Sequence, residues 1–171
     1  MINIIACVDL DFGIARDGEI PWHLPNDLRY FREKTEGSFV VMGSTTYESL
    51  GKPLPNRTNI VLSRENNFDD EGVLTYSSIE PIFILAKSVD VWIIGGEDIY
   101  SLFLPHAQRI YLTNILETFD CDKFLPVGYY LNEEFRIKSV TLGVIDDKNK
   151  HEHIFFEFER IVDGGCGHVS I

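Results

Sequence analysis

The stretch IPWHLPNDLRYF, residues 20–31, sets an acid in an awkward place. Pro21 and Pro25 lead to Asp27, and the apolar Leu28 and Phe31 follow it. If that face of a helix turns inward, a carboxylate lies against an apolar wall, where an isolated charge is costly. Position alone leaves two readings open. Asp27 is either an exposed acid in a first helical turn, favoured there by the helix dipole, or a buried acid that accepts paired charge-assisted hydrogen bonds from a cationic or amidine-like ligand edge.

Three other segments carry groups suited to anions. VVMGSTT runs through Gly43, Ser44, Thr45 and Thr46, WIIGGEDIY runs through Gly95 and Gly96, and IVLSRE ends on Ser63 and Arg64. Backbone N–H groups at helix starts favour phosphate, so two such starts on neighbouring strands would hold a pyrophosphate from both sides. Each strand–glycine–helix junction is equally readable as a tight turn, and the chain has no GxGxxG fingerprint. Arg57 in LPNRTN reads, by itself, as a solvated cation. His151 and His153, in HEH, share one face of a strand but lack an evident third metal ligand. No metal is expected, and no Ser-His-Asp arrangement follows from the order of residues.

These groups need elements to hold them. INIIACV, FVVMG, TNIVLS, VDVWIIGG and RIYLTNI are short apolar runs suited to buried strands. Helices are predicted over about residues 25–35, from Ser44 or Thr45 as a cap to Gly51, from a serine cap through SSIEPIFILA, and through EDIYSLFLP. EFRIKSVTL and HIFFEFERI form a late antiparallel pair around the polar DDKNK. The alternation predicts a single α/β domain with a mostly parallel sheet, covered on both faces, and an antiparallel C-terminal strand. In such sheets ligands bind beyond the carboxyl ends of the strands.

The chain of 171 residues suffices for one domain with a sizeable core. Its formal net charge of -12 excludes nonspecific binding to nucleic acid or an anionic membrane. No stretch is long and apolar enough to span a bilayer, and MINIIACVDL does not read as a signal peptide. Cys7, Cys121 and Cys166 are scattered and odd in number, so reduced thiols and a cytoplasmic location are expected. The domain is expected over residues 1–162, with residues 163–171 a glycine-rich flexible tail.

IPWHLPNDLRYF, VVMGSTTYESLGKPLPNRTNIVLSRE, WIIGGEDIYSLFLPHAQRIYLTNI, CDKFLP and HIFFEFERI, in this order and spacing, resemble dihydrofolate reductase over about residues 1–162. The resemblance implies an eight-stranded sheet with four flanking helices, a monomer, and reduction of 7,8-dihydrofolate to tetrahydrofolate by NADPH. It makes Asp27 the acid that grips the pterin and promotes protonation of N5, Trp22 the residue ordering water there, and Thr113 the hydroxyl that hydrogen-bonds the acid. It places Ile5, Ala6 and Ile94 along the pterin, Leu28, Phe31, Leu50 and Leu54 around the aminobenzoyl ring, and Arg57 on the glutamate carboxylate. For the cofactor it implies Ala6, Ile14, Ile20, Ile94 and Tyr100 near the nicotinamide. Gly43, Ser44, Thr45, Thr46, Gly95, Gly96, Glu97, Asp98 and Ile99 would meet the pyrophosphate and ribose, and Leu62, Ser63 and Arg64 the adenosine end. A cis peptide between Gly95 and Gly96 and a mobile lid over about residues 9–24 are further implications.

Several positions depart from the family pattern. Ser44 stands where many relatives carry a base for the 2′-phosphate, which leaves Arg64. Ala15 replaces a glycine of the lid and Leu125 a phenylalanine, and Glu97 and Asp98 put acids beside the expected pyrophosphate. Two other functions share the fold: a non-catalytic folate- or nucleotide-binding module, and a flavin-pathway reductase acting on a ribosylaminouracil. PWHLPND and Arg57 disfavour the latter, and Asp27, Trp22, Arg57 and Thr113 together disfavour the former.

Overall fold

β-Branched and aromatic runs become strands here because both sheet faces are covered, so a strand can be apolar along its whole length. The computed structural model describes residues 1–161; Val162 and the expected tail lie outside them. Eight strands form one sheet: β1 (Ile2–Val8), β3 (Phe39–Gly43), β4 (Thr58–Leu62), β5 (Val73–Tyr76), β6 (Val91–Gly95), β7 (Arg109–Ile115), β9 (Phe135–Leu142) and β10 (His153–Arg160). Their order is β5-β4-β3-β6-β1-β7-β10-β9. Pairings are parallel except those of β10 with β7 and β9. β2 (Gly13–Ala15) and β8 (Lys123–Phe124) make a separate antiparallel ribbon.

Four helices of seven or more residues flank the sheet: α1 (Pro25–Thr35), α2 (Ser44–Leu50), α3 (Glu80–Ala86) and α4 (Glu97–Phe103). A six-residue α5 (Gly128–Glu133) precedes β9. The fold class expected from sequence is the one found. The caps are corrected. Gly43 is the N-cap of α2, with Ser44 already helical, and Ile79 is that of α3. Ser78 instead hydrogen-bonds the Glu80 carboxylate. The strand reading missed β5, because four residues at a sheet edge, only partly buried, give little apolar periodicity.

Strand alternation divides the core into two clusters. Ile4, Ala6 and Val8 of β1 join Val41, Ile60, Ile93, Phe103, Ile110 and Leu112 on one side. Ile5 joins Val40, Met42, Val61, Trp92 and Tyr111 on the other. Each such side chain contributes roughly 1.5–3 kcal/mol when fully buried. Among the described residues, no helix is long and apolar enough to cross a membrane.

After β1 the chain must turn sharply, and Asp9 organises the turn. It is 1% exposed. One carboxylate oxygen accepts from the amides of Asp11 at 2.9 Å and Gly13 at 2.7 Å, and the other from that of Phe119 at 3.0 Å. Gly13 has no room for a side chain, since a Cβ there would stand 2.4 Å from the Cβ of Cys121. Asp9→Ala leaves the buried amide of Gly13 and the part-buried amides of Asp11 and Phe119 without this acceptor. A loss of about 2–4 kcal/mol in urea unfolding is expected, and a loss below ~0.5 kcal/mol would show that water replaces the carboxylate.

Candidate active site

α1 begins without a side-chain cap. Its first amides are satisfied from a distance instead. Pro25 has none to satisfy, and the amide of Asn26 donates to Asn149 Oδ1 at 2.7 Å. The amide of Asp27 donates to the Leu24 carbonyl at 3.0 Å. This start lays the third residue, Asp27, over β1 and β7, where Cys7 and Thr113 are register partners. The buried Thr113 hydroxyl donates to the Asp27 carboxylate, and the Cys7 thiol does so too. Burial pushes the pKa of Asp27 up; the hydrogen bonds from Thr113 and Cys7 pull it only part of the way back. Burial and the adjacent Asp27 charge raise the Cys7 thiol well above its ordinary value, while the Trp22 indole, hydrogen-bonded to the sulfur, opposes them.

Around this acid the structure gathers residues by sheet face. Phe31, Leu54 and Ile94 pack with the cluster of Ile5. Ile14, Leu62, Ile99 and Tyr100 pack with that of Ala6. Residues expected for the substrate and for the cofactor thus fall largely on opposite sides of the central strands. Ile20, Leu28 and Leu50 are exposed, Ile20 at 63% and Leu28 at 55%, and join neither cluster. Arg57 lies 5.7 Å from the Phe31 ring centroid. It donates through Nε to the Pro55 carbonyl at 2.9 Å and through Nη1 to Thr35 Oγ1 at 3.1 Å. Burial lowers its pKa, Arg32 lowers it further, and Glu36 partly offsets both. Asn59, 1% exposed, pins the loop that carries Arg57 through both the amide and the carbonyl of Leu54 and the carbonyl of Arg57.

Beyond the carboxyl ends of β3 and β6 the starts of α2 and α4 stand together, since Met42 pairs with Gly95. Neither helix has a side-chain cap, so first-turn amides remain available. Gly95–Gly96 is a cis peptide. A Cβ on Gly43 would reach Ile99 at 3.1 Å, and one on Gly96 would reach Thr46 Oγ1 at 3.4 Å. The Tyr100 ring packs on Gly95, and its hydroxyl donates to the Ile5 carbonyl at 2.9 Å. Glu97 is turned away: it accepts from the Phe124 amide at 3.0 Å and pairs with Lys123 at 3.7 Å. Gly43 pairs with Leu62, so Ser63 and Arg64 leave the sheet beside Ser44, with Arg64 exposed. Bare glycine backbone and spare amides fit a pyrophosphate.

The family model described as dihydrofolate reductase matches residues 1–160. The chain belongs to the dihydrofolate reductase family. The family member from Bacillus subtilis (strain 168) is 35% identical over 161 residues, which cover 94% of this chain and 95% of that protein. The one from Haemophilus influenzae is 39% identical over 160 residues, 92% and 98% of the two chains. The solved structure of dihydrofolate reductase from Enterococcus faecalis, complexed with NADP(H) and RAB-propyl, superposes with a TM-score of 0.88 at 36% identity, over 95% of this chain and 97% of that one.

Within this family fold, four contributors escaped the sequence reading. Cys7 was counted only as a thiol, although period-two alternation from Ile5 places it on the acid's face. Asn59 and Asn149 gave no signal, because a buried amide acts through contacts distant in sequence. Asp9 was read only as a lid residue. Among the described residues no group of three or more His, Cys, Asp or Glu side chains could hold a metal, and His151 and His153 hydrogen-bond within the fold.

The raised pKa of Asp27 has a consequence for stability. Between the ordinary aspartate value, about 3.9, and the raised value, the folded protein keeps a proton that the unfolded chain has released. Stability therefore falls as pH rises through that window, and the cost persists above it. Asp27→Asn abolishes the cost. The mutant is expected to melt higher than wild type at pH 7, with the gap closing towards pH 4. A gap independent of pH would show that Asp27 is not held uphill.

Proposed function

We propose that this chain reduces 7,8-dihydrofolate to tetrahydrofolate with NADPH, acting as a cytoplasmic monomer without a nucleic-acid partner. The observation that carries the reading is a single acid, Asp27, hydrogen-bonded from the sheet by Thr113 beside two uncapped helix starts. The free thiols of Cys7 and Cys121 support a reducing compartment.

The reaction adds a hydride to the carbon of the pterin C=N5 bond and a proton to N5. NADPH, when bound, supplies the hydride. The chain's own part is binding and proton management. The Asp27 carboxylate accepts from the 2-amino group and ring nitrogen of the pterin, two parallel hydrogen bonds that fix its orientation. Because burial makes its charge costly, Asp27 favours a protonated partner, and it promotes the proton's arrival at N5 through water ordered by Trp22. Thr113 holds the carboxylate in plane. Phe31 and Leu54, with Leu28 and Leu50 from the open side, wall the aminobenzoyl ring, and Arg57 takes the glutamate carboxylate with its remaining guanidinium donors. The first-turn amides at Ser44–Thr46 and Glu97–Ile99 hold the pyrophosphate. Arg64, unpaired among the described residues, takes the 2′-phosphate.

Following cofactor absorbance with dihydrofolate and NADPH tests the reading directly, and a non-catalytic module of the same fold would give no turnover. Asp27→Asn is expected to slow turnover by roughly a hundredfold or more at pH 7, the scale of general acid–base catalysis, with the deficit shrinking in acid where solvent protonates the substrate. Wild-type turnover by that mutant at pH 7 would remove Asp27 from the mechanism.

Cofactor choice gives a second measurement. With a net charge of -12, the chain repels both cofactors at long range, and close contacts must discriminate. Arg64→Ala is expected to reduce the ratio of kcat/KM for NADPH over NADH by roughly tenfold, one charge-assisted hydrogen bond, with NADH use unchanged. An unchanged ratio would assign the phosphate to another group.

A further inference from the structure

His153 is 3% exposed, and no step above uses it. Its ring nitrogens have defined partners. Nδ1 lies 2.8 Å from the His151 carbonyl oxygen. A carbonyl only accepts, so Nδ1 carries a proton. Nε2 lies 3.4 Å from Nδ2 of Asn26. That nitrogen also donates to the Val144 carbonyl at 3.0 Å, while the amide oxygen of Asn26 accepts from Arg29 at 3.3 Å. The orientation of the amide is thereby fixed, and Nδ2 is a donor. Nε2 must accept, which makes His153 the neutral tautomer protonated on Nδ1. The ring cannot swing, because Gly143 lies against it so closely that a Cβ there would stand 2.1 Å from Nε2. The Phe155 ring meets its other side edge-on at 5.2 Å.

Asn26 immediately precedes Asp27 in the uncapped first turn of α1. We infer that His153 is a positioning residue for the reaction's acid: as a neutral acceptor it braces Asn26, and the braced turn keeps the Asp27 carboxylate on Thr113 and Cys7. The inference rests on the proposed role of Asp27. The groups around the brace are few. α1 contributes Asn26, Asp27 and Arg29; β10 contributes Phe155, with His151 through its carbonyl; β7 contributes Ile115 as register partner. The segment between β9 and β10 contributes Val144 and Asn149, the latter held by the Asp146 carboxylate. Asp27 is the acid this turn carries, and a positive charge on the His153 ring would lower its pKa. A second proton on His153 would set an N–H against the N–H of Asn26, so the brace requires the uncharged ring.

The test compares kcat, KM and the pH profile of dihydrofolate reduction in wild type, His153→Phe, His153→Gln and Asn26→Ala. Glutamine keeps one donor and one acceptor and takes no second proton. His153→Phe is expected to lower kcat at pH 7 by roughly three- to tenfold, the scale of one hydrogen bond, with KM for NADPH unchanged. Its pH profile is expected to move to lower pH as the loosened carboxylate meets more water. His153→Gln is expected to restore both, and Asn26→Ala to reproduce the defect without adding to it in the double mutant. A wild-type profile in His153→Phe, or additive effects, would overturn the inference. Should His153→Phe fail to fold, Asn26→Ala, at a partly exposed helix position, carries the same test. Full activity of Asp27→Asn would instead sink the proposed function, so the two failures are distinguishable.

Discussion

A carboxylate laid on the inner face of a sheet is tolerable only if its charge is met from the protein side. For Asp27 that requirement falls on β1 and β7. Parallel pairing sets Cys7 opposite Thr113, and both offer protons to the acid. Neither donor cancels the desolvation, because a thiol is a weak donor and a hydroxyl a neutral one. The residual cost leaves an acid that binds a proton, or a protonated ligand edge, more readily than an aspartate in water. A full positive charge beside the carboxylate, in place of the neutral Thr113 hydroxyl, would hold Asp27 ionised and make it a less useful acid.

The same strand register separates two chemistries across one layer of backbone. Odd-numbered residues of β1, Ile5 and Cys7, face α1; even-numbered Ala6 and Val8 face α4. A hydride donor and its acceptor must nevertheless meet, so the partition has to end where the strands end. It does so at glycine. Gly43, Gly95 and Gly96 lack side chains at the junctions where Ile99, Thr46 and Tyr100 crowd in. Backbone amides there become the surface a ligand touches. Tyr100 reaches across from α4 to the carbonyl of Ile5, tying the α4 side of the sheet to a strand whose other face meets α1.

Much of this was legible in the sequence because it depends on local pattern. Apolar runs gave the strands, prolines and glycines gave the junctions, and the segment around Asp27 raised the question of a buried acid, while Thr113 as its partner came only from the family resemblance. What stayed hidden depends on pairs far apart in the chain. Asn149 caps α1 from 123 residues away, and Arg160 is held by Glu134 and by the carbonyls of Leu104 and Ala107. The expected caps, Ser44 or Thr45 for α2 and a serine for α3, failed locally: Gly43 is the N-cap of α2 with Ser44 already helical, and the Ser78 hydroxyl bonds the Glu80 carboxylate rather than a backbone amide. Leu28 shows the opposite limit, since its apolar character and spacing from Phe31 alone read as core although it faces solvent.

The segment over residues 9–24 is joined to the acid by a chain of contacts. Asp9 fixes the amide of Phe119 at the base of this segment. The Phe119 ring lies 5.2 Å from Trp22, edge-on, and 5.3 Å from His151 on another side. Trp22 hydrogen-bonds the Cys7 sulfur, and Cys7 hydrogen-bonds Asp27. The ribbon of β2 with β8 holds the middle of the segment, with the amides of Asp17 and Asp122 donating to Asp122 Oδ2 and the Ala15 carbonyl at 3.1 and 3.0 Å. Because Gly13 is wedged against Cys121, this ribbon cannot shift alone. The indole bonds the sulfur whose thiol bonds the acid, so the contacts that place Trp22 bear on the same carboxylate whose burial is costly.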